Sequence, residues 1–358
     1  MIELKDLCTK GSSSIAQKDL EGHDGIYPIY GASGLIKNVD FYQQEKPYIA
    51  VVKDGAGVGR VMCLPKESSV IGTMQYIIPN DGVNVKYLAY ALEHLNLAKY
   101  YTGATIPHIY FKDYCKEKLP AHPPEDQSRI ASTLGRVTDL IALRKEQLAA
   151  LDQLVKSRFI ELFGDPVSNS KNLPELTLPE LGEFGRGVSK HRPRNDPKLL
   201  GGKYPLIQTG EVANSELYIT SYENTYSELG LKQSKMWQTG TLCITIAANI
   251  AKTAILTFDA CFPDSVVGFK ANDKTNNIFI HYWFSFFQAI LEAQAPESAQ
   301  KNINLKMLSE LKIVVPPIEQ QNEFVAFVKQ TDKSKLAIQR SLDELETLKK
   351  ALMQKYFG

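Results

Sequence analysis

Cysteine is scarce in this 358-residue chain, and neither sign of charge is in excess. Its five cysteines (Cys8, Cys63, Cys115, Cys243 and Cys261) are scattered and show no CxxC spacing. That excludes a disulfide scaffold or a zinc ribbon and fits thiols kept reduced in a cytoplasm. The six histidines form no HExxH and no His/Cys cluster. With 41 Lys+Arg against 40 Asp+Glu, the net charge is +1. The strong basic excess of a free-standing DNA binder is therefore missing. Any nucleic-acid role must rest on local basic patches or on charge shared with a partner. No apolar run reaches the roughly 18 residues a membrane span needs. The opening MIELKDLCTK has no apolar signal region either, so a cytoplasmic location is expected.

Catalytic constellations are also missing. An amino-methyltransferase tetrad would read Asp/Asn-Pro-Pro-aromatic, whereas the proline pairs here read AHPPE and VVPPI. DGAGVGR at 54–60 lacks the GK[ST] of a phosphate loop and runs into the apolar VMCL rather than a helix. It reads as a glycine-rich hairpin turn. A nuclease search finds only Pro263-Asp264 and a distant Glu310-Leu311-Lys312, and the latter overlies Lys116-Glu117-Lys118 in an internal repeat.

That repeat dominates what the chain does contain. Laid over itself so that Pro123 meets Pro317, the segment to Gly164 falls on the segment to Gly358 without a gap. Glu125, Gln127, Leu148, Leu151, Leu154, Lys156 and Phe163 then meet identical residues at Glu319, Gln321, Leu342, Leu345, Leu348, Lys350 and Phe357. A period this long marks a duplicated domain pair rather than a solenoid. Each copy reads as a helix starting at its proline pair, where a missing N–H costs nothing. Apolar residues recur at Ile130, Leu134, Val137, Ile141, Leu148, Leu151 and Val155. In the second copy they recur at Phe324, Val328, Ile338, Leu342, Leu345 and Leu352, with Thr331, Lys335 and Lys349 breaking the seam. Alternating four-and-three spacing is a coiled-coil seam. At about 1.5 Å per residue, such helices are roughly 60 Å long. Each needs a partner, either its twin in an antiparallel pair within the chain or a second copy of the chain.

The segments before the helices pattern as α+β domains, 1–122 and 165–315, followed by helices at 123–164 and 316–358. Strands are expected at Tyr27–Ser33, Tyr48–Lys53, Gly59–Leu64 and Val70–Ile78, with a helix at Val85–His94. The second domain repeats the plan with strands at Tyr204–Val212, Thr241–Ala247, Lys252–Phe258 and Val266–Lys270, then a helix at Ile278–Glu292. The first-domain hairpin displays Lys53 and Arg60. In the second, RGVSKHRPR gathers Arg186, Lys190, His191, Arg192 and Arg194 on a loop that either clamps phosphates and reads guanine or is simply solvated.

The series His108-Ile109-Tyr110-Phe111-Lys112 to Gln127, and again Asn302-Ile303-Asn304-Leu305-Lys306 to Gln321, each followed by a long helix ending Phe-Gly, resembles the specificity subunit of type I restriction-modification systems. GRGVSKHRPRNDPKLLGGKYPLIQTGEV at 185–212 is similar to the opening of a target recognition domain in that family. The resemblance spans the chain. It implies two target recognition domains separated by an antiparallel two-helix coiled coil with pseudo-twofold symmetry. It also implies a non-catalytic subunit that reads a bipartite double-stranded DNA target, while the helices set the spacer. Two modification subunits would bring S-adenosylmethionine, and restriction subunits ATP and Mg; no cofactor is expected in this chain. DNA contacts are then expected at Tyr30, Ser33, Lys53, Arg60, His108, Arg186, Lys190, His191, Arg192, Arg194, Gln208, Thr209 and Asn302, with base edges read by Gln, Asn and Arg, although His108 and Asn302 equally suit backbone capping. The competing reading is an architectural coiled-coil adaptor that reads no DNA.

Overall fold

The apolar run Tyr48–Val52 forms a strand buried along its whole length. Successive side chains of a strand face opposite ways, and both faces here are covered. Ile49 and Val51 join a cluster with Leu88, Ala91 and Leu134, while Tyr48, Ala50 and Val52 pack with Met74 and Tyr76. In this computed structural model, residues 1–103, 106–247, 250–294 and 303–358 are described, with side chains to residue 288 in the third stretch. The strand lies inside a four-stranded antiparallel sheet ordered Cys8–Ser12, Met74–Pro79, Tyr48–Val52, Val61–Leu64. A smaller sheet orders Gly34–Val39, Tyr27–Gly31 and Ser69–Val70, the last pair parallel. Helix Val85–Leu95 follows, its first turn closed by the Asn84 side chain accepting the Tyr87 N–H at 3.1 Å.

The second half repeats this order of strands. Gly182–Arg186, Val266–Ala271, Leu242–Thr245, Thr253–Leu256 and Tyr218–Ile219 form one sheet, and Asn224–Tyr226, Leu200–Leu206, Ala260–Cys261 and Met236–Trp237 another. Alternation again divides a buried strand between two cores. Leu242 and Ile244 join the larger, and Cys243 joins Trp237 and Phe262. Gly268 lies under that indole, where a Cβ would sit 2.7 Å from the ring. The aromatic helix runs Asn277–Gln294.

Two expected strands are corrected. Val70–Ile78 is interrupted, because a turn at Gly72 and Thr73 carries the chain from the smaller sheet to the larger. Tyr204–Val212 ends as a strand at Leu206, and Thr209–Asn214 is a helix. Its cause is local: the Glu211 carboxylate reaches back to accept the Gln208 N–H at 3.1 Å, half of a capping box.

The long helices are Pro124–Phe163 and Ile318–Phe357, 40 residues each. Gly164, at φ +75°, stops the first in the left-handed conformation that favours glycine. The repeated glutamines explain why each helix starts where it does. Gln127 accepts the Asn84 N–H at 3.0 Å and donates to the His122 carbonyl at 2.9 Å. Gln321, fully buried, donates to the carbonyls of Pro316 and Lys274 and accepts from the Thr275 hydroxyl. Each glutamine thus fastens a long helix to the entry of an earlier helix of its own half, Val85–Leu95 or Asn277–Gln294.

By contacts the chain divides into two compact units, Met1–Gln147 with Ile338–Gly358, and Leu148–Ala337. Each unit contains half of both long helices, so the units cut across the sequence-based boundaries. In the first, Ile130, Ala131 and Leu134 cluster with Met353 and Phe357, and further along Lys145 pairs with Glu346 at 3.0 Å. In the second, Phe159 and Phe163 pack on Phe324, while Asp152 pairs with Lys335 at 2.5 Å. Residue numbers rise on one helix as they fall on the other. The helix halves therefore run antiparallel within each unit. Among the described residues no helix is long and apolar enough to cross a membrane.

Candidate nucleic-acid interface

In the first unit the candidates converge on the loop from Lys53 to Arg60, which joins two antiparallel strands as a hairpin. Gly59 holds φ +84°, and a Cβ there would lie 2.4 Å from the Ala98 nitrogen, so the tight turn requires glycine. Arg60 donates from Nη1 to the Ala32 carbonyl at 2.7 Å, tying this loop to the turn that carries exposed Ser33 and half-buried Tyr30. On the other side, His108 Nδ1 lies 2.7 Å from Asp54 Oδ1, and Lys53 Nζ lies 3.6 Å from Asp54 Oδ2. His108 also exchanges backbone hydrogen bonds with Thr102 at 2.8 Å. It therefore has a structural job beside any contact it makes, and Asp54, which the sequence reading did not single out, organises both side chains. Asn302 lies outside the described residues.

In the second unit, strand Gly182–Arg186 leads directly into the basic loop. Gln233 Oε1 accepts the N–H groups of Lys190 and His191 at 2.7 and 3.0 Å, pinning the loop from beneath. His191 pairs with Asp196 at 3.1 Å. The Asp196 carboxyl is held low first by the Lys198 N–H and then by that histidine. Arg192 donates to its own loop, to the carbonyls of Ser189 and His191. Arg194 pairs with Asp264 at 2.5 Å. Exposed Arg186 and Lys190 have no side-chain partner among the described residues. Arg194, Gln208 and Thr209, far apart in sequence, line one cleft of about 370 Å³ together with Ser189, Asn195 and Asn224.

Along the two long helices the residues named for the seam differ in burial. Ile130, Leu134, Val137, Phe324, Val328 and Leu342 are buried, and Ile141, Leu148, Leu151, Ile338 and Leu345 are half-buried. Phe159, four residues past Val155, continues it and was missed. Of the positions read as breaks, Lys335 meets the other long helix, while Lys349 meets helix Val85–Leu95. Thr331 is 5% exposed and donates to the Phe327 carbonyl. Lys335 meets Asp152 and Glu216 at 2.5 and 2.7 Å. Burial alone would lower this ammonium's pKa, but its two carboxylate partners outweigh that and raise it. Lys349 donates to Glu93 at 2.8 Å. Among the described residues, no group of three or more His, Cys, Asp and Glu side chains is placed to hold a metal ion.

Comparison with known proteins adds identity to this geometry. The family model for the type I restriction modification DNA specificity domain matches twice, at residues 1–153 and 175–347. The sequence assigned as the MjaX specificity subunit of a type I restriction enzyme in Methanocaldococcus jannaschii is 23% identical over 288 residues, 77% of this chain and 68% of that one. Among solved structures, the S subunit of a type I restriction-modification system from M. genitalium aligns over 100% of this chain and 95% of that one, with TM-score 0.65 and 16% identity. A chain from a structural study of type I R-M complex assembly and conformational transition covers 99% and 96%, with TM-score 0.58 and 16% identity. At those identities the structures establish a shared fold.

Proposed function

The chain belongs to the type I restriction modification DNA specificity domain family, and from that premise we propose that it is the non-catalytic subunit that reads an asymmetric, bipartite double-stranded DNA target. Each unit reads one half-site, and the antiparallel helices fix the spacer between them. Two modification subunits dock at the helices and supply S-adenosylmethionine. Restriction subunits supply ATP- and Mg-dependent steps, and the assembly works in the cytoplasm.

One observation carries the reading: the fold is duplicated while the basic clusters are not. Both halves repeat the strand order and the glutamine-fastened helix. Yet one presents Lys53, Arg60 and His108, the other Arg186, Lys190 and Arg194. Duplicated scaffolds with different cation arrangements suit two different half-sites. A pure adaptor has no use for Arg186 and Lys190, exposed and without side-chain partners among the described residues. Local clusters also reconcile DNA reading with a net charge of +1, since phosphate contacts are local and partners can share them.

The test is methylome sequencing of cells that express this chain with its modification subunit. We expect N6-methyladenine in a single gapped, asymmetric motif. Exchanging residues 165–315 for another recognition domain should change one half of that motif and leave the other intact. Loss of both halves, or change in neither, refutes the modular reading.

A further inference from the structure

Resting on the DNA-reading function proposed above, we propose that Asp264 is a positioning residue that holds Arg194 to read a guanine in the half-site taken by the second unit. The two arginines nearest Asp264 have different employment. Arg192 Nη1 donates to the carbonyls of Ser189 at 2.6 Å and His191 at 2.9 Å, and its Nη2 stands 3.7 Å from Asp264 Oδ2. Its donors serve the loop. Arg194 gives a single N–H, from Nη2, to Asp264 Oδ1. Its side chain is 47% exposed and lines the cleft beside Gln208 and Thr209. A guanidinium carries five N–H donors in a planar fork. The remaining edge is free among the described residues.

Asp264 is itself held firmly. It sits in the turn between strands Ala260–Cys261 and Val266–Ala271, closed by the Val266 N–H donating to the Pro263 carbonyl at 3.0 Å. The basic loop is laced to the same turn, through Val188 N–H to the Phe262 carbonyl and Gly187 N–H to the Val266 carbonyl. Arginine's long stem loses rotamer freedom on binding, and an anchored carboxylate removes much of that loss beforehand.

The chemistry separates base from phosphate. A carboxylate beside an arginine repels phosphate oxygens, which carry the same sign, so Arg194 is poorly placed for the backbone. The neutral edge of guanine presents N7 and O6, two acceptors that match a guanidinium fork. Arg186 and Lys190, which have no carboxylate partner among the described residues, suit phosphates instead. The cleft also has an unanswered group. Ser189 is 7% exposed, and its Oγ has no hydrogen-bond partner among the described residues. The amides of Asn195, Asn224 and Gln208 line the same cleft without side-chain partners among the described residues.

The test uses the full chain in complex with its modification subunit and duplexes carrying every single-base change in the methylome-derived target, with binding read by competition at several salt concentrations. We expect the wild type to prefer one guanine in the second unit's half-site by roughly tenfold to a hundredfold. Asp264→Asn and Arg194→Ala should each abolish that preference, leave the other positions and the other half-site unchanged, and leave the binding of unrelated duplex unchanged. Asp264→Glu should restore part of the preference. Trp237 fluorescence reports that the unit stays folded, since this ring belongs to the core beneath the turn. Uniformly tighter binding of all duplexes by Asp264→Asn would show a carboxylate that merely repels phosphate, and would overturn the proposal. So would a guanine preference that survives Arg194→Ala. A wild-type complex without sequence preference would instead sink the DNA-reading function itself.

Discussion

Phe159→Ala tests the helix packing of the second unit. Phe159 is fully buried, with ring centroids 4.9 Å from Phe163, 5.0 Å from Phe286, 5.3 Å from Phe324 and 5.4 Å from Phe279. Truncation removes roughly 150 Å² of buried apolar surface, worth about 4 kcal/mol at about 25 cal/mol per Å². That falls within the ~3–5 kcal/mol found for such cavities. The chain's two tryptophans, Trp237 and Trp283, are both buried in this unit, so their fluorescence in urea follows its unfolding alone. With a slope of about 2 kcal/mol per M, the midpoint should fall by about 2 M. Leu154→Ala, on the same helix but 49% exposed, should change stability by less than about 0.5 kcal/mol. A Phe159/Phe324 double-mutant cycle should show coupling of about 0.5–1.5 kcal/mol. If Phe159→Ala costs no more than Leu154→Ala, the interface has been read wrongly.

Asp332→Asn should stabilise the second unit by about 1 kcal/mol near neutral pH. Burial raises the Asp332 carboxyl, and its Oδ2 is buried without a hydrogen-bond partner among the described residues. A carboxyl raised above its unfolded value weakens the fold as pH rises through the folded pKa. The variant's advantage should therefore vanish in acid, as urea midpoints across pH will show. His281 works with the opposite sign. Burial lowers it to about 4 from 6.5, so below pH 6.5 the unfolded chain takes a proton that the fold refuses. Stability should fall by up to about 3 kcal/mol as pH drops from 6.5 toward 4, and His281→Asn should flatten that slope. Arg186→Ala and Lys190→Ala should weaken DNA binding uniformly across sequences, each reducing the log–log salt slope by about 0.9 in a salt titration of the complex.

The long helices were legible because their signal is dense: about forty residues of seam, a proline start, a glycine stop, and a second copy to check against. Short strands carry less. Val70–Ile78 is mostly apolar, and a single Gly-Thr step inside it is too weak a signal to announce the turn at Gly72 that sends its two ends to different sheets. The run after Tyr204 has an extended pattern, but Glu211 caps Gln208, a contact over three residues that competes with strand formation. Cations were easy to nominate and their partners were not. Asp54 lies next to Lys53 in sequence, but His108 reaches it only through the fold. Asp264 approaches Arg194 across 70 positions, and no local pattern encodes that meeting. Gln127 and Gln321 were visible as a repeated motif, yet their role depended on where the preceding helix of each domain begins.

The polar seam residues carry the last argument. Apolar contact is non-directional, so a seam of leucines alone would resist poorly a slip of one heptad, about 10 Å along the axis. Such a slip would strip Lys335, whose side chain is 15% exposed, of Asp152 and Glu216. Breaking a buried pair costs about 3–5 kcal/mol. Here the carboxylates are 53% and 81% exposed and resolvate readily, so the lysine bears the cost, toward the lower end. Arg144, donating to Ser341 at 3.2 Å, and Lys145 with Glu346 oppose the same slip in the first unit. For a protein proposed to read two half-sites at one spacing, register matters more than strength. Lys335→Met keeps the stem and discards the charge, so its stability should stay within about 1 kcal/mol of wild type. Methylomes should then reveal modification at targets whose spacer departs from the wild-type length. A large loss of stability with spacer fidelity intact would show that this lysine is simply an essential part of the core.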